Sequence, residues 1–185
     1  MKKELIFLDI DDTLLETQKI QKLFLNRKHN FNSSEELDSY FDKIELEELF
    51  EIGKQMLNHK NIDYLFHRTS NAYENIKDLT SEYRFECCTS RPLFHSYFID
   101  KIIFDYYDSC IDKIHYFGEL SSKVKFSEEK GARLLVDDSI KSFKGMKNSG
   151  LKGILYNSKS NGDHEGLVKM SNWNEFPKIL EAILF

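Results

Sequence analysis

Two stretches of this chain share one construction, and it restricts the fold more than any other feature of the sequence. Leu5-Ile6-Phe7-Leu8-Asp9-Ile10-Asp11-Asp12-Thr13-Leu14 and Leu134-Leu135-Val136-Asp137-Asp138-Ser139 are apolar runs that end abruptly in carboxylates. Runs this short, bounded by turn residues, suit strands buried on both faces. Such strands belong to parallel sheets covered by helices, and their carboxyl ends are where α/β proteins gather polar side chains. With the two strands side by side, four or five carboxylates converge on a small volume. Two such charges about 4 Å apart repel by roughly 4 kcal/mol at an effective dielectric near 20, so the cluster calls for a cation. Carboxylate oxygens with no His or Cys near them in sequence favour a hard ion, Mg²⁺ ahead of Zn²⁺. Either cluster alone also fits a helix cap or turn; it is the pair that points to a site.

The rest of the chain supports an α/β alternation. Ala72 to Leu79 reads as a helix and Tyr83 to Cys88 as a strand ending at Thr89-Ser90-Arg91-Pro92. Tyr97 to Tyr107 carries helical spacing, and Ile114 to Phe117 reads as a short strand. A helix starts near Ser122 and stops at Gly131, ahead of the strand Ala132 to Val136. Beyond Asp138 the pattern predicts a helix to about Asn148, the strand Lys152 to Tyr156, a loop with Asn161, Gly162 and Asp163, and a terminal helix from Asn174. Between the first strand and this region the rhythm is helical. Ser33 to Glu36 offers a capping box ahead of Leu37, Tyr40, Phe41 and Ile44, and a further helix runs from Leu46 to Leu57. The chain therefore divides into an α/β core, 1–15 and 71–185, with helices on both faces of a Rossmann-like parallel sheet, and a small helical insertion, 16–70. Phe31, Tyr40, Phe41, Phe50, Tyr64 and Phe66 are expected to pack its interior, with one or two left to line a pocket.

Composition narrows the classes of partner. The 185 residues carry a net charge of -5, which argues against a general binder of nucleic acid or anionic membrane, and no stable nucleic-acid binding is expected. No apolar run reaches membrane-spanning length. Cys87, Cys88 and Cys110 are odd in number, and two are adjacent in a strand, a pattern of small apolar side chains in a reducing compartment rather than a disulfide framework. The amino terminus lacks the form of a signal peptide, so a cytoplasmic setting is expected.

In a parallel sheet the ends of the strands face one edge, so Asp9, Asp11, Thr89 and Asp137 should meet there. Phosphoryl chemistry needs an oxygen nucleophile, a proton donor for the leaving oxygen, a metal and donors for the nonbridging oxygens, and this set supplies each. Lys123, Lys125 and Lys130 all stand between the third strand and the second acidic pair. A helix starting near Ser122 carries residues away from that edge at 1.5 Å each, which sets Lys130 about 10 Å farther off. Lys123 is the best placed and Lys125 second. Arg91 either reaches a substrate phosphate or forms a surface ion pair.

The order Asp-x-Asp-x-Thr, then Thr, then Lys, then Asp-Asp resembles the four motifs of the haloacid dehalogenase (HAD) superfamily, at residues 9 to 13, 89, 123 and 137 to 138. That resemblance implies Asp9 as the nucleophile that forms an aspartyl phosphate and Asp11 as the acid and base. It implies Mg²⁺ held by Asp9, the backbone carbonyl of Asp11 and Asp137, with Asp138 close by. Thr89, the backbone N–H of Ser90 and Lys123 would hold the phosphoryl group, and the helical insertion would be a cap that selects substrates. Asp12 stands where the family often has Gly. Cys88-Thr89-Ser90, with Asn157 to Asn161, Val168 and Ser171-Asn172-Trp173, is similar to the 5'(3')-deoxyribonucleotidase branch, although Trp173 also suits a core anchor. The implied function is a Mg²⁺-dependent phosphomonoester hydrolase acting on a small phosphorylated substrate, foremost a nucleoside 5'-monophosphate. Polynucleotide 3'-phosphatase and small sugar-phosphate phosphatase are the enzymatic alternatives. A phosphoacceptor or ligand-binding module on the same scaffold is the noncatalytic one, but a response-regulator receiver places its acidic pair first, not last.

Overall fold

A computed structural model describes residues 3–57, 66–91, 93–118, 123–157 and 166–184. Six parallel strands form one sheet: β1 (Glu4–Leu8), β2 (Tyr83–Thr89), β3 (Lys113–Tyr116), β4 (Ala132–Asp137), β5 (Lys152–Tyr156) and β6 (Leu167–Met170), in the order β3-β2-β1-β4-β5-β6. β1 lies at the centre, with Leu8 in register with Cys87 on one side and Val136 on the other. The chain order reverses between β1 and β4, and such a switch point opens a crevice at the carboxyl ends of the strands. Asp9 follows one of those two strands and Asp137 ends the other. Helices α1 (Thr17–His29), α2 (Ser34–Phe41) and α3 (Leu46–Leu57) precede β2, along with α4 (Ala72–Leu79); α5 (Ser96–Tyr107), α6 (Lys123–Glu129) and α7 (Phe176–Leu184) lie between or after the later strands.

Side chains alternate across the sheet as the strand period requires. Leu5 and Phe7 join Cys88, Leu135 and Leu155 in one buried cluster with Val124 of α6 and Phe143. Ile6 and Leu8 point to the other face and are equally buried. Truncating a core ring such as Phe7 to Ala costs about 3–5 kcal/mol by the lost transfer energy and the cavity left behind. Cys87, Cys88 and Cys110 are all unpaired and buried, as expected of small apolar side chains.

The chain separates into two compact units, Met1–Leu14 with Arg68–Phe185, and Leu15–His67. In the second, Ser33 caps α2, its Oγ accepting from the Glu36 N–H at 3.2 Å, while Glu36 reaches back to the Asn32 N–H at 3.0 Å. α1 ends at Asn30, which adopts a left-handed φ of 55° and closes on the Asn26 carbonyl. Glu48 ties the helices together, accepting from Lys28 at 2.5 Å and Tyr40 at 2.6 Å and pairing with His29 at 2.7 Å. Ile20, Phe24, Leu25, Ile52, Met56 and Phe66 are buried. Phe31 and Tyr40 are only half-buried and line an open hollow of about 540 Å³.

Two elements differ from the sequence reading. In place of one helix after Asp138 there are two 3₁₀ turns, Ile140–Phe143 and Met146–Asn148, because Gly145 takes a φ of 90° that a helix does not allow. β6 adds an edge strand where the sequence suggested only a tail. The helix start near Ser122 and the loop with Asn161, Gly162 and Asp163 lie outside the described residues.

Candidate active site

The first acidic loop is held from beneath. The Asp9 N–H donates to the Val136 carbonyl at 2.8 Å, so the turn leaves β1 with β4 still bonded alongside. Asp12 has a φ of 53°, in the left-handed region that short polar side chains tolerate and glycine prefers. Farther along, Trp173 Nε1 donates to the Thr13 carbonyl at 3.1 Å and the Tyr107 hydroxyl to the Leu14 carbonyl at 2.7 Å. Both aromatic rings are fully buried, so two core side chains far off in sequence fix the loop.

The structure brings together the residues singled out in the sequence. Lys123, the first residue of α6, is 1% exposed, and its Nζ donates to Asp9 Oδ1 at 2.5 Å and to Asp137 Oδ2 at 2.6 Å. Lys125 points elsewhere: it is 84% exposed and faces Glu129 at 4.0 Å. Asp137 Oδ1 accepts from the Ser139 N–H at 2.8 Å. Thr89, at the end of β2, is fully buried and its Oγ1 accepts from the Arg91 N–H at 3.2 Å, which leaves the hydroxyl proton to be directed. Ser90 Oγ is buried without a hydrogen-bond partner among the described residues. A hydroxyl so placed carries a desolvation cost until an acceptor arrives.

Arg91 is neither on the surface nor unengaged. Its Nε donates to Asp11 Oδ1 and Oδ2 at 3.1 and 2.9 Å, and its Nη2 to Oδ1 at 2.5 Å, with the side chain 15% exposed. The Asp11 carboxylate is thus committed to a guanidinium fork. Oxygens of Asp9, Asp137 and Asp138, by contrast, lie within 4.8 Å of one another.

The electrostatics follow from burial. Burial raises the Asp9 carboxyl well above its ordinary range, against the pull of Lys123 and with the further push of Asp137 and Asp11. Burial works to lower Lys123, but the charges of Asp9 and Asp137 outweigh it and hold the ammonium above the usual lysine range. Asp138 is pushed up to about 7 by burial, then by the charges of Asp137, Asp12 and Asp11. Carboxylates therefore outnumber cations here, and the Asp9, Asp137 and Asp138 oxygens form an all-oxygen donor set of the kind a hard divalent ion takes. The residues fit Mg²⁺. Together the groups place carboxylates, hydroxyls and an ammonium around one crevice, an inventory that phosphoryl transfer can use.

No protein-family model matches the chain, and no curated protein matches it either. Solved structures do. A HAD-superfamily hydrolase of Geobacter sulfurreducens is 15% identical, with a TM-score of 0.65 over 97% of this chain and 100% of its own. An inferred beta-phosphoglucomutase of Thermotoga maritima is 14% identical, with a TM-score of 0.69 over 97% and 99% of the two chains. An inferred HAD hydrolase of Bacillus subtilis, bound to magnesium, is 14% identical, with a TM-score of 0.62 over 97% and 99%. The likeness establishes the fold: this chain has the α/β architecture of HAD-superfamily hydrolases.

Proposed function

We propose that the chain is a Mg²⁺-dependent phosphomonoester hydrolase that works through an aspartyl phosphate on Asp9. The observation that carries this reading is the buried Lys123 ammonium bridging Asp9 and Asp137 at the switch point of the sheet. An Asp9 oxygen attacks phosphorus, the bond from phosphorus to the ester oxygen breaks, and Asp11 gives its proton to that departing oxygen. A water oxygen then attacks the same phosphorus, the bond to Asp9 breaks, and Asp11 takes the water's proton, so that enzyme and proton count are restored. Thr89 and Ser90 donate to the nonbridging oxygens, and Lys123 exchanges its carboxylate partners for phosphoryl oxygen. Mg²⁺ would be held by the Asp9 carboxylate, the Asp11 main-chain carbonyl and Asp137, with Asp138 beside them, and would supply the positive charge that offsets the carboxylates and draws in the phosphoryl oxygens.

Substrate choice is assigned to the helical unit, inserted directly after the first acidic loop, whose half-buried Phe31 and Tyr40 line a hollow large enough for a base or a sugar. A nucleoside 5'-monophosphate and a small sugar phosphate stand level as substrates. Trp173, which enters the likeness to deoxyribonucleotidases, is fully buried and serves the Thr13 carbonyl, so its presence speaks of the scaffold and not of a base. Polynucleotide ends stand lower, given the net charge of -5. Among the described residues no helix is long and apolar enough to cross a membrane.

Phosphate release from nucleoside and deoxynucleoside monophosphates, sugar phosphates and 3'-phosphorylated oligonucleotides, with Mg²⁺ or EDTA, tests the reading. Turnover should require Mg²⁺ and vanish in Asp9→Asn with the fold intact. Persistent activity in that variant refutes the nucleophile, and silence across the panel removes the enzymatic reading.

A further inference from the structure

Five site residues fall into two groups. Lys123 serves Asp9 and Asp137, on the phosphoryl side of the chemistry, whereas Arg91 serves Asp11. A bidentate guanidinium fixes not only the distance of a carboxylate but also its plane, which a single ammonium cannot do. Arg91 is itself anchored: its backbone N–H is bonded to Thr89 Oγ1, so one residue joins the loop after β2 to the loop after β1. The pair is shielded, at 15% exposure for the arginine and 32% for the aspartate side chain. Proton transfer needs its donor within hydrogen-bond reach of the oxygen concerned, and a misplacement of about 1 Å costs on the order of 100-fold.

We infer that Arg91 is the positioning residue for Asp11: Nη2 and Nε hold Oδ1, so that Oδ2, which takes Nε alone, is the oxygen that, once protonated, gives its proton to the leaving oxygen and later takes one from water. Arg91 neither gives nor accepts a proton, and it acts through Asp11 and not on the phosphoryl group. This rests on the assignment of Asp11 as acid and base in the proposed hydrolysis.

The test uses the full chain loaded with Mg²⁺ and two esters. One is 4-nitrophenyl phosphate, whose leaving group departs without a proton; the other is the alkyl phosphomonoester that the wild type turns over fastest. Leaving-group release is followed in a single turnover for the wild type, Arg91→Ala, Arg91→Lys, Asp11→Asn and the Asp11→Asn/Arg91→Ala pair. Arg91→Ala should slow release from the alkyl ester by about 100-fold and from the nitrophenyl ester by less than about 3-fold. Arg91→Lys should fall between, since it keeps the charge without the fork. In the Asp11→Asn background, Arg91→Ala should add less than about 2-fold, the mark of two residues acting as one unit. Equal losses on both esters, or independent losses in the double variant, would each overturn the inference and make Arg91 a substrate anchor. If Arg91→Ala does not fold, Arg91→Lys carries the same comparison. A wild type silent on both esters defeats the hydrolase reading itself, an outcome distinct from any pattern among active variants.

Discussion

Lys123 is the residue whose loss the molecule should feel most. Lys123→Met leaves Asp9 and Asp137 buried without their shared ammonium, and breaking a buried pair in this way costs about 3–5 kcal/mol. Urea denaturation in EDTA should show that loss, and phosphatase activity should disappear along with it. Asp9→Asn should cost less. Lys123 keeps Asp137 as its partner, and burial already disfavours the charged form of Asp9, so the amide should lower the metal-free melting temperature less than Lys123→Met does, while cancelling the stabilisation that Mg²⁺ would give. Much of this site is legible in the sequence, because residues that end parallel strands meet at one edge whatever the details of packing. The choice of Lys123 over Lys125 rests on where α6 begins, and two residues of phase separate a 1% exposed side chain from an 84% exposed one. The partner of Arg91 was beyond sequence reasoning: 80 positions separate it from Asp11, and only the assembled sheet makes them neighbours.

Among the elements, the loop after β1 depends on Trp173, which suits a core anchor, and on Tyr107, which the sequence places only at the end of a helix. Trp173→Phe keeps the ring packing against Phe176 and Tyr156 but orphans the buried Thr13 carbonyl. A loss of about 1–3 kcal/mol follows, read as a lower melting temperature, together with a reduced kcat because the loop bearing Asp9 and Asp11 loosens. In the helical unit the corresponding device is charged. The hydrogen bonds from Lys28, then Tyr40 and His29, hold the Glu48 carboxyl down at about 2, against an ordinary 4.5. A depressed carboxylate stabilises above its unfolded value and loses that contribution as protons bind. Acidification from pH 4.5 toward 2 should therefore melt helix in the wild type, and Glu48→Gln should flatten that stretch of a circular-dichroism melt series. Helices with clear periodicity, such as α2 and α3, were readable from spacing and caps alone. The segment after Asp138 was not, since its apolar spacing suits a helix and a single left-handed Gly145 overrules it.

For the whole molecule, the parallel sheet with its two acidic strands side by side was the accessible part, and the separation into units the consequence of one long interruption between β1 and β2. An alternation of short apolar runs and helical stretches admits few topologies once crossovers are right-handed, and the HAD-type sheet is among them. What the pattern does not carry is the identity of the ligand, because the helical unit to which we assign that choice is built from ordinary amphipathic spacing. The central place of β1 has a further consequence, for the newly made chain. Its two neighbours, β2 and β4, are the segments 83–89 and 132–137, so a strand of consecutive buried residues emerges from the ribosome well over a hundred residues before its second partner. Until then it has an unpaired side, a template for pairing between chains. A ribosome-bound chain halted after residue 118 should stay protease-sensitive and bind chaperones. One halted late enough to expose β4 should gain resistance in a single step, so folding of the sheet waits on β4.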